Sequence, residues 1–202
     1  NLLSISRTAG GAVSDSLRFT LGGDVLLDVS GTSTGVFEYD PSGNLVKDGL
    51  NRLEFSYNCL NLMQTVQTTV GASKAQFTYG SDGRKLSEKA GTGGFEYMGS
   101  LIYAYRGGTL SLAQAVTDEG TIQSAGVNYF IRDHLGSVRA VVDHTGKIVE
   151  RNDYYPFGGR HENSALSLSA TNRYKFGGKE SLEQVNLDML DFGARFYDPR
   201  IA

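Results

Sequence analysis

One cysteine, three prolines and no tryptophan occur in 202 residues. The lone Cys59 excludes an internal disulfide and any cysteine-rich metal site, and it leaves the redox compartment open. A strong charge of one sign is also missing. Nineteen Lys and Arg stand against 22 Asp and Glu, a formal charge of -3, and the basic residues are scattered. That disfavours a nucleic-acid groove. Long apolar runs are lacking too: the longest uncharged stretch, Phe55 to Ser73, is full of Asn, Gln, Thr and Ser, so no membrane span is expected. The chain starts at Asn1, and no basic segment followed by an apolar run precedes its first strand-like stretch. It reads as a piece of something longer.

What is abundant is glycine, with 26 residues, and the rings of 11 Tyr and 10 Phe. With so little proline, this composition predicts many short strands joined by tight turns. An aromatic-polar-aromatic triplet recurs at Phe37-Glu38-Tyr39, Phe55-Ser56-Tyr57, Phe77-Thr78-Tyr79 and Phe95-Glu96-Tyr97, with tyrosines 18, 22 and 18 residues apart. In a strand, alternate side chains share a face, so each triplet predicts two buried rings and one outward polar residue. Tyr39 is followed by Asp40-Pro41-Ser42-Gly43-Asn44-Leu45, the chemistry of a type I turn closed at positive φ. The frame returns from Asp133 to Val138 and from Asp143 to Ile148. Degenerate copies follow Tyr79, where Gly80 replaces the Asp, and Tyr57, where Asn61 takes the glycine position.

A period of about 20 residues accommodates one hairpin, two strands of ~5–6 residues and two turns. Further strands are expected at Leu101 to Tyr105, Thr109 to Val116, Val127 to Arg132, Val138 to Asp143 and Lys147 to Asp153. Arg160 to Asn172 reads as a long loop, and Ser181 to Leu190 as a loop entering one strand at about Asp191 to Tyr197. The fold class is all-β, built of antiparallel hairpin repeats.

The pairs Tyr39-Asp40…Gly43-Asn44-Leu45 and Tyr79…Gly83-Arg84 resemble the Rhs/YD repeat. More specific are Tyr129 to Arg139 (YFIRDHLGSVR), Asp153 to Gly158 (DYYPFG), Arg173 to Glu180 (RYKFGGKE) and Leu190 to Pro199 (LDFGARFYDP). Their order and spacing resemble the Rhs repeat-associated core domain of bacterial polymorphic-toxin or wall-associated proteins. On this resemblance, residues 1–127 are YD-like hairpin repeats and 128–202 the N-terminal part of the core. It implies a curled or spiral β-sheet, part of a β-shell that encapsulates or presents a C-terminal toxin or effector of the same polypeptide. It also implies a secreted or cell-surface location. Some family members cleave themselves with aspartates in a later Asp-Pro-x-Gly motif. This chain stops just after Asp198-Pro199-Arg200, so neither that cleavage nor a toxic activity carries over. The rival expectation is a carbohydrate-binding β-repeat module at the cell surface, since rows of exposed tyrosine suit sugar faces. Exposed strand edges are also expected to permit a homo-oligomer.

No catalytic, cofactor or metal residue is assigned. Asp133, His134 and Ser137 have the residue types of a hydrolase triad, yet all sit on one turn and cannot converge. His134, His144 and His161, with Asp133 and Asp143, are more readily exposed turn residues than metal ligands. Gly177-Gly178-Lys179 lacks the Ser or Thr of a phosphate loop, Glu180 standing in its place. Glu180, Asp188, Asp191 and Asp198 permit a glycosidase pair only if distances allow it.

Overall fold

The computed structural model describes residues 2–161 and 172–201, so the long loop expected from Arg160 to Asn172 lies almost wholly outside the described residues. Sixteen strands form one antiparallel sheet in which spatial order equals sequence order. The sheet does not close on itself, because the first and last strands have one neighbour each.

Contacts divide the chain between Gln76 and Phe77 into two compact units, Ile201 joining the first. The first unit holds β1 (Ser4–Ala9), β2 (Ala12–Gly22), β3 (Val25–Gly31), β4 (Gly35–Tyr39), β5 (Leu45–Asp48), β6 (Leu53–Tyr57), β7 (Met63–Thr68) and the start of β8 (Ser73–Tyr79). Alternation builds its core. On β2, Leu17 and Phe19 are buried while Ser16, Arg18 and Thr20 are exposed. With Ile5, Val29 and Phe37 they form one apolar cluster, against which Leu26, Tyr39, Leu45, Leu50 and Ile201 pack. The three strands before Val36 lie in the stretch expected to hold hairpin repeats, but they carry no triplet and no Asp-x-x-Gly turn from which their bounds could be read.

The second unit continues with β9 (Lys85–Ala90), β10 (Gly93–Met98), β11 (Leu101–Arg106), β12 (Thr109–Thr117), β13 (Gly120–Gln123), β14 (Gly126–Arg132), β15 (Val138–Asp143) and β16 (Ile148–Arg151). A separate three-stranded sheet follows, made of β17 (Glu180–Ser181), β18 (Leu190–Asp191) and β19 (Phe196–Tyr197). The single strand expected from Asp191 to Tyr197 is therefore two. Gly193 at φ 88° reverses the chain between them, and its N–H donates to Asp191 Oδ1 at 2.7 Å. Between β17 and β18, Leu182, Val185 and Leu187 are fully buried around a 3₁₀ turn at Glu183–Val185.

The aromatic triplets lie on β4, β6, β8 and β10. Phe37, Phe55 and Phe77 are buried at 4%, 6% and 1% exposure, with Glu38, Ser56 and Thr78 facing out. Phe95 is only half-buried, although the Arg173 guanidinium carbon covers one face 3.9 Å from the ring centre. Tyr39 and Tyr57 are half-buried as well. Their hydroxyls donate to the main-chain oxygens of Leu26 at 2.9 Å and Leu45 at 2.7 Å, tying each repeat to the strand before it.

Each repeat turn is a type I turn with a bulge residue at positive φ. In the first, Asp40 Oδ1 accepts from the N–H groups of Ser42 and Asn44, and Asp40 O accepts from Gly43 N–H. Asn58, Asp133 and Asp143 repeat those bonds. The closing residues Gly43, Gly136 and Gly146 stand at φ 82°, 81° and 87°, and Asn61 takes the same place at φ 57°. At Gly80, Asp82 Oδ1 fills the space a side chain would need, supplying from two positions later the carboxylate that Gly80 lacks. Thr68, Tyr155 and Lys175 open turns with the same main-chain bonds. The sequence hid these three because none starts with Asp or Asn.

Candidate functional site

Charged side chains are almost never fully buried unless paired, yet the second unit buries several. Glu88 sits on β9 opposite Phe95 of β10 and is 0% exposed. Lys85 lies on the same strand three residues earlier. Arg173 arrives from the C-terminal segment and is 3% exposed. Glu180 on β17 and Asp191 on β18 are direct cross-strand partners, a like-charge juxtaposition that destabilises a sheet unless a cation separates the two.

Lys85 is that cation. Its three ammonium hydrogens match three carboxylates: Glu180 Oε2 at 2.7 Å, Asp191 Oδ2 at 2.6 Å and Glu88 Oε2 at 3.1 Å. Arg173 pairs with Glu88 Oε1, stands 2.9 Å from Glu180 Oε1 and donates to the Tyr97 hydroxyl at 2.8 Å. Tyr97 in turn donates to Glu180 Oε1 at 3.0 Å, and the Lys85 ammonium rests 4.7 Å from its ring centre. Thus β9 and β10 supply one half of a closed network, and residues 173, 180 and 191 supply the other.

The electrostatics follow from this arrangement. Burial opposes ionisation of Glu180, but Lys85 and Arg173 overcome it and hold the carboxyl below its ordinary value. Burial likewise opposes the charge on Lys85 and on Arg173, and the carboxylates around each keep both above their ordinary values. Burial, with Glu180 and Glu88 nearby, pushes the Tyr97 hydroxyl well up. Lys85, Tyr97, Arg173 and Glu180 are each driven further into one protonation state, the opposite of an acid or base tuned to exchange protons near neutrality.

A second buried contact ties the same C-terminal segment to another strand of the sheet. Lys175 Nζ lies 2.5 Å from Glu150 Oε1, the latter on β16. Beside it the Val138 N–H donates to Lys175 O at 3.1 Å, and Gly177 N–H donates to Ser137 Oγ at 2.9 Å. A groove of about 640 Å³, lined among others by Phe95, Tyr105, Gln114 and Arg173, adjoins the network.

No protein-family model and no curated protein sequence matches the chain. Solved structures do. The crystal structure of TcdB2-TccC3 resembles it with a TM-score of 0.60 at 16% identity, over 91% of this chain and 12% of that one. The Photorhabdus luminescens Tc holotoxin pore carrying a TccC3 mutation gives 0.61 at 14% identity, over 91% and 11%. TcdB2-TccC3-Cdc42 gives 0.61 at 15% identity, over 91% and 12%. The chain shares their fold. It is an open antiparallel sheet of hairpins that spans about an eighth of those chains' length.

The structure places the residues weighed from sequence as follows. Asp133 caps its own turn and Ser137 is buried against Gly177, while His134 is exposed, so the three do not form a triad. His134 and His144 are exposed turn residues, and His161 packs on Tyr155 with ring centres 4.9 Å apart. Among the described residues no group of three or more His, Cys, Asp or Glu is placed to hold a metal. Gly177-Gly178 forms a 3₁₀ turn rather than the start of a helix. Of the four scattered carboxylates, Glu180 and Asp191 meet around Lys85, Asp188 is exposed, and Asp198 binds Arg200 at 2.7 Å. Tyr97 entered the sequence reading only as a triplet ring, and Arg173 and Lys175 only within the RYKFGGKE stretch, while Lys85, Glu88 and Glu150 were not singled out. On β9 the structure inverts the expected pattern, Leu86 being 45% exposed while Ser87 and Glu88 are buried.

Proposed function

We propose that the chain is a non-catalytic structural segment of a secreted or cell-surface Rhs/YD-repeat protein, forming part of a β-shell that encloses or presents a C-terminal effector of the same polypeptide. The observation that carries this reading is the closed charge network. Breaking a buried pair by removing one partner costs about 3–5 kcal/mol, so residues 173–191 are held firmly against β9, β10 and β15. A segment fixed in that way suits a wall that must stay shut. The aspartates and glutamates nearest to an active-site arrangement are consumed in ion pairs with Lys85 and Arg173, which supports a role without chemistry on a substrate. One of the similar structures is named as a holotoxin pore, which supports an extracellular setting and a cargo.

The test uses the full natural polypeptide that contains this chain. Limited proteolysis should leave the sequence C-terminal to this segment intact under native conditions and release it once the charge network is disrupted. Immediate digestion of that sequence in the undisturbed protein would overturn the reading.

A further inference from the structure

Lys175, Glu150 and Asn152 form a second polar island, separate from the Lys85 network. They are 3%, 1% and 0% exposed. One oxygen, Glu150 Oε1, touches both an amine and a carboxamide: Lys175 Nζ at 2.5 Å and Asn152 Nδ2 at 2.6 Å. The main chain fixes this meeting. Val138 N–H donates to Lys175 O at 3.1 Å, and Asn152 N–H donates to Arg139 O at 2.9 Å, so the two residues stand beside consecutive positions of β15. Among the described residues, Glu150 Oε2 and Asn152 Oδ1 have no hydrogen-bond partner. Two buried acceptors without donors are an expensive way to build a purely structural contact.

We propose that Lys175 and Asn152 become joined by an intramolecular amide bond, with Glu150 carrying the proton and one ammonia released. In a dry site an ammonium and a carboxylate gain little from remaining charged. Burial pulls the Lys175 ammonium below its ordinary value even though Glu150 opposes that shift. The proton passes from Nζ to Glu150, leaving a neutral amine and a carboxylic acid. The amine lone pair attacks Cγ of Asn152 to form the new C–N bond. Glu150 gives its proton to the departing nitrogen and takes the second proton from Nζ as the old C–N bond breaks. The products are one secondary amide, one ammonia and Glu150, which returns to a carboxylate when ammonia is protonated in water. No oxidant or cofactor enters. Fixed proximity and a desolvated lysine are what such a step requires. The bond would tie the C-terminal segment to the sheet covalently, at the place where the ion pair already holds it.

The test is a tryptic digest of the natural protein, denatured and read by tandem mass spectrometry. The expected result is a branched species in which Asn152–Arg160 is linked to Tyr174–Lys179, lighter than the two peptides together by one ammonia. Glu150→Gln should cut the linked fraction at least tenfold, since a positioned proton carrier contributes ~10²–10⁴ in rate, and Lys175→Arg should abolish it. Cleavage after an unmodified Lys175 in the wild-type digest would overturn the proposal. Ammonia loss confined to Asn152–Arg160, or a link from Lys175 to Ile148–Arg151 instead, would also overturn it. The wild-type digest decides the matter whichever variants fold.

Discussion

Replacing Arg173 with Met removes the guanidinium that serves Glu88, Glu180 and Tyr97 at once. The network has two cations, Lys85 and Arg173, against the carboxylates of Glu88, Glu180 and Asp191. Without Arg173, three buried carboxylates share one ammonium, and a loss of about 3–5 kcal/mol is expected. For a protein of this size that is a fall in melting temperature of roughly 6–20 °C. Glu88→Gln is the informative contrast. It leaves two cations facing two carboxylates, and the carboxamide keeps part of the hydrogen bonding, so about 1–2 kcal/mol is expected. The chain has no tryptophan, so thermal unfolding is best followed by circular dichroism and calorimetry. Linkage gives a second signature. In the wild type, Glu180 is held below its ordinary 4.5. Its contribution is present above that pH and lost as the pH falls through the lower folded-state value. In Arg173→Met a carboxyl is raised instead, so the variant should regain stability on mild acidification while the wild type does not. An Arg173→Met loss under ~1 kcal/mol, the range of exposed pairs, with no change in acid behaviour, would refute the reasoning.

Gly136→Val, at φ 81°, should destabilise by more than ~1 kcal/mol in melting experiments. Phe77→Ala, which empties a fully buried site and removes an edge contact with Phe196 at 4.9 Å, should cost about 3–5 kcal/mol by denaturant titration. Burial, with Asp40 and Tyr39 nearby, pushes the Tyr57 hydroxyl up to about 12. In a spectrophotometric titration Tyr57 should ionise after the exposed tyrosines, and its contribution to stability should hold below pH ~10 and fade as the pH rises toward 12. Glycan arrays probed at micromolar concentration should show no binding. Light scattering on the isolated chain should show association through the open edges of β1 and β16, and a monomer at high concentration would count against edge pairing.

The repeating part of the fold was legible because strand period and turn chemistry coincide there. Phe55-Ser56-Tyr57 ahead of an Asn-capped turn states both the alternation and the reversal. Val138–Asp143 was readable for the same reason. The bounds of β1 to β3 were not, because their apolar residues alternate without the ring triplet and their reversals, through Gly10-Gly11, Gly23-Asp24 and Thr32-Ser33-Thr34, lack the Asp-x-x-Gly frame. The charge network was illegible for a different reason. Glu180 and Asp191 become one site only through the β17–β18 pairing, and Lys85 reaches Glu180 across 95 positions of sequence. A lysine in an amphipathic strand ordinarily means a solvated face. Its burial here depends on residues that local pattern cannot bring near.

The most direct measurement is a cryo-electron microscopy reconstruction of the full natural polypeptide. The expected result is this open hairpin sheet continued by further strands into a hollow wall, with residues 173–191 against β9 and β10 and additional polypeptide density inside. A reconstruction in which the sheet stands alone with both faces open to solvent, or in which residues 173–191 are detached from β9, would contradict the shell reading.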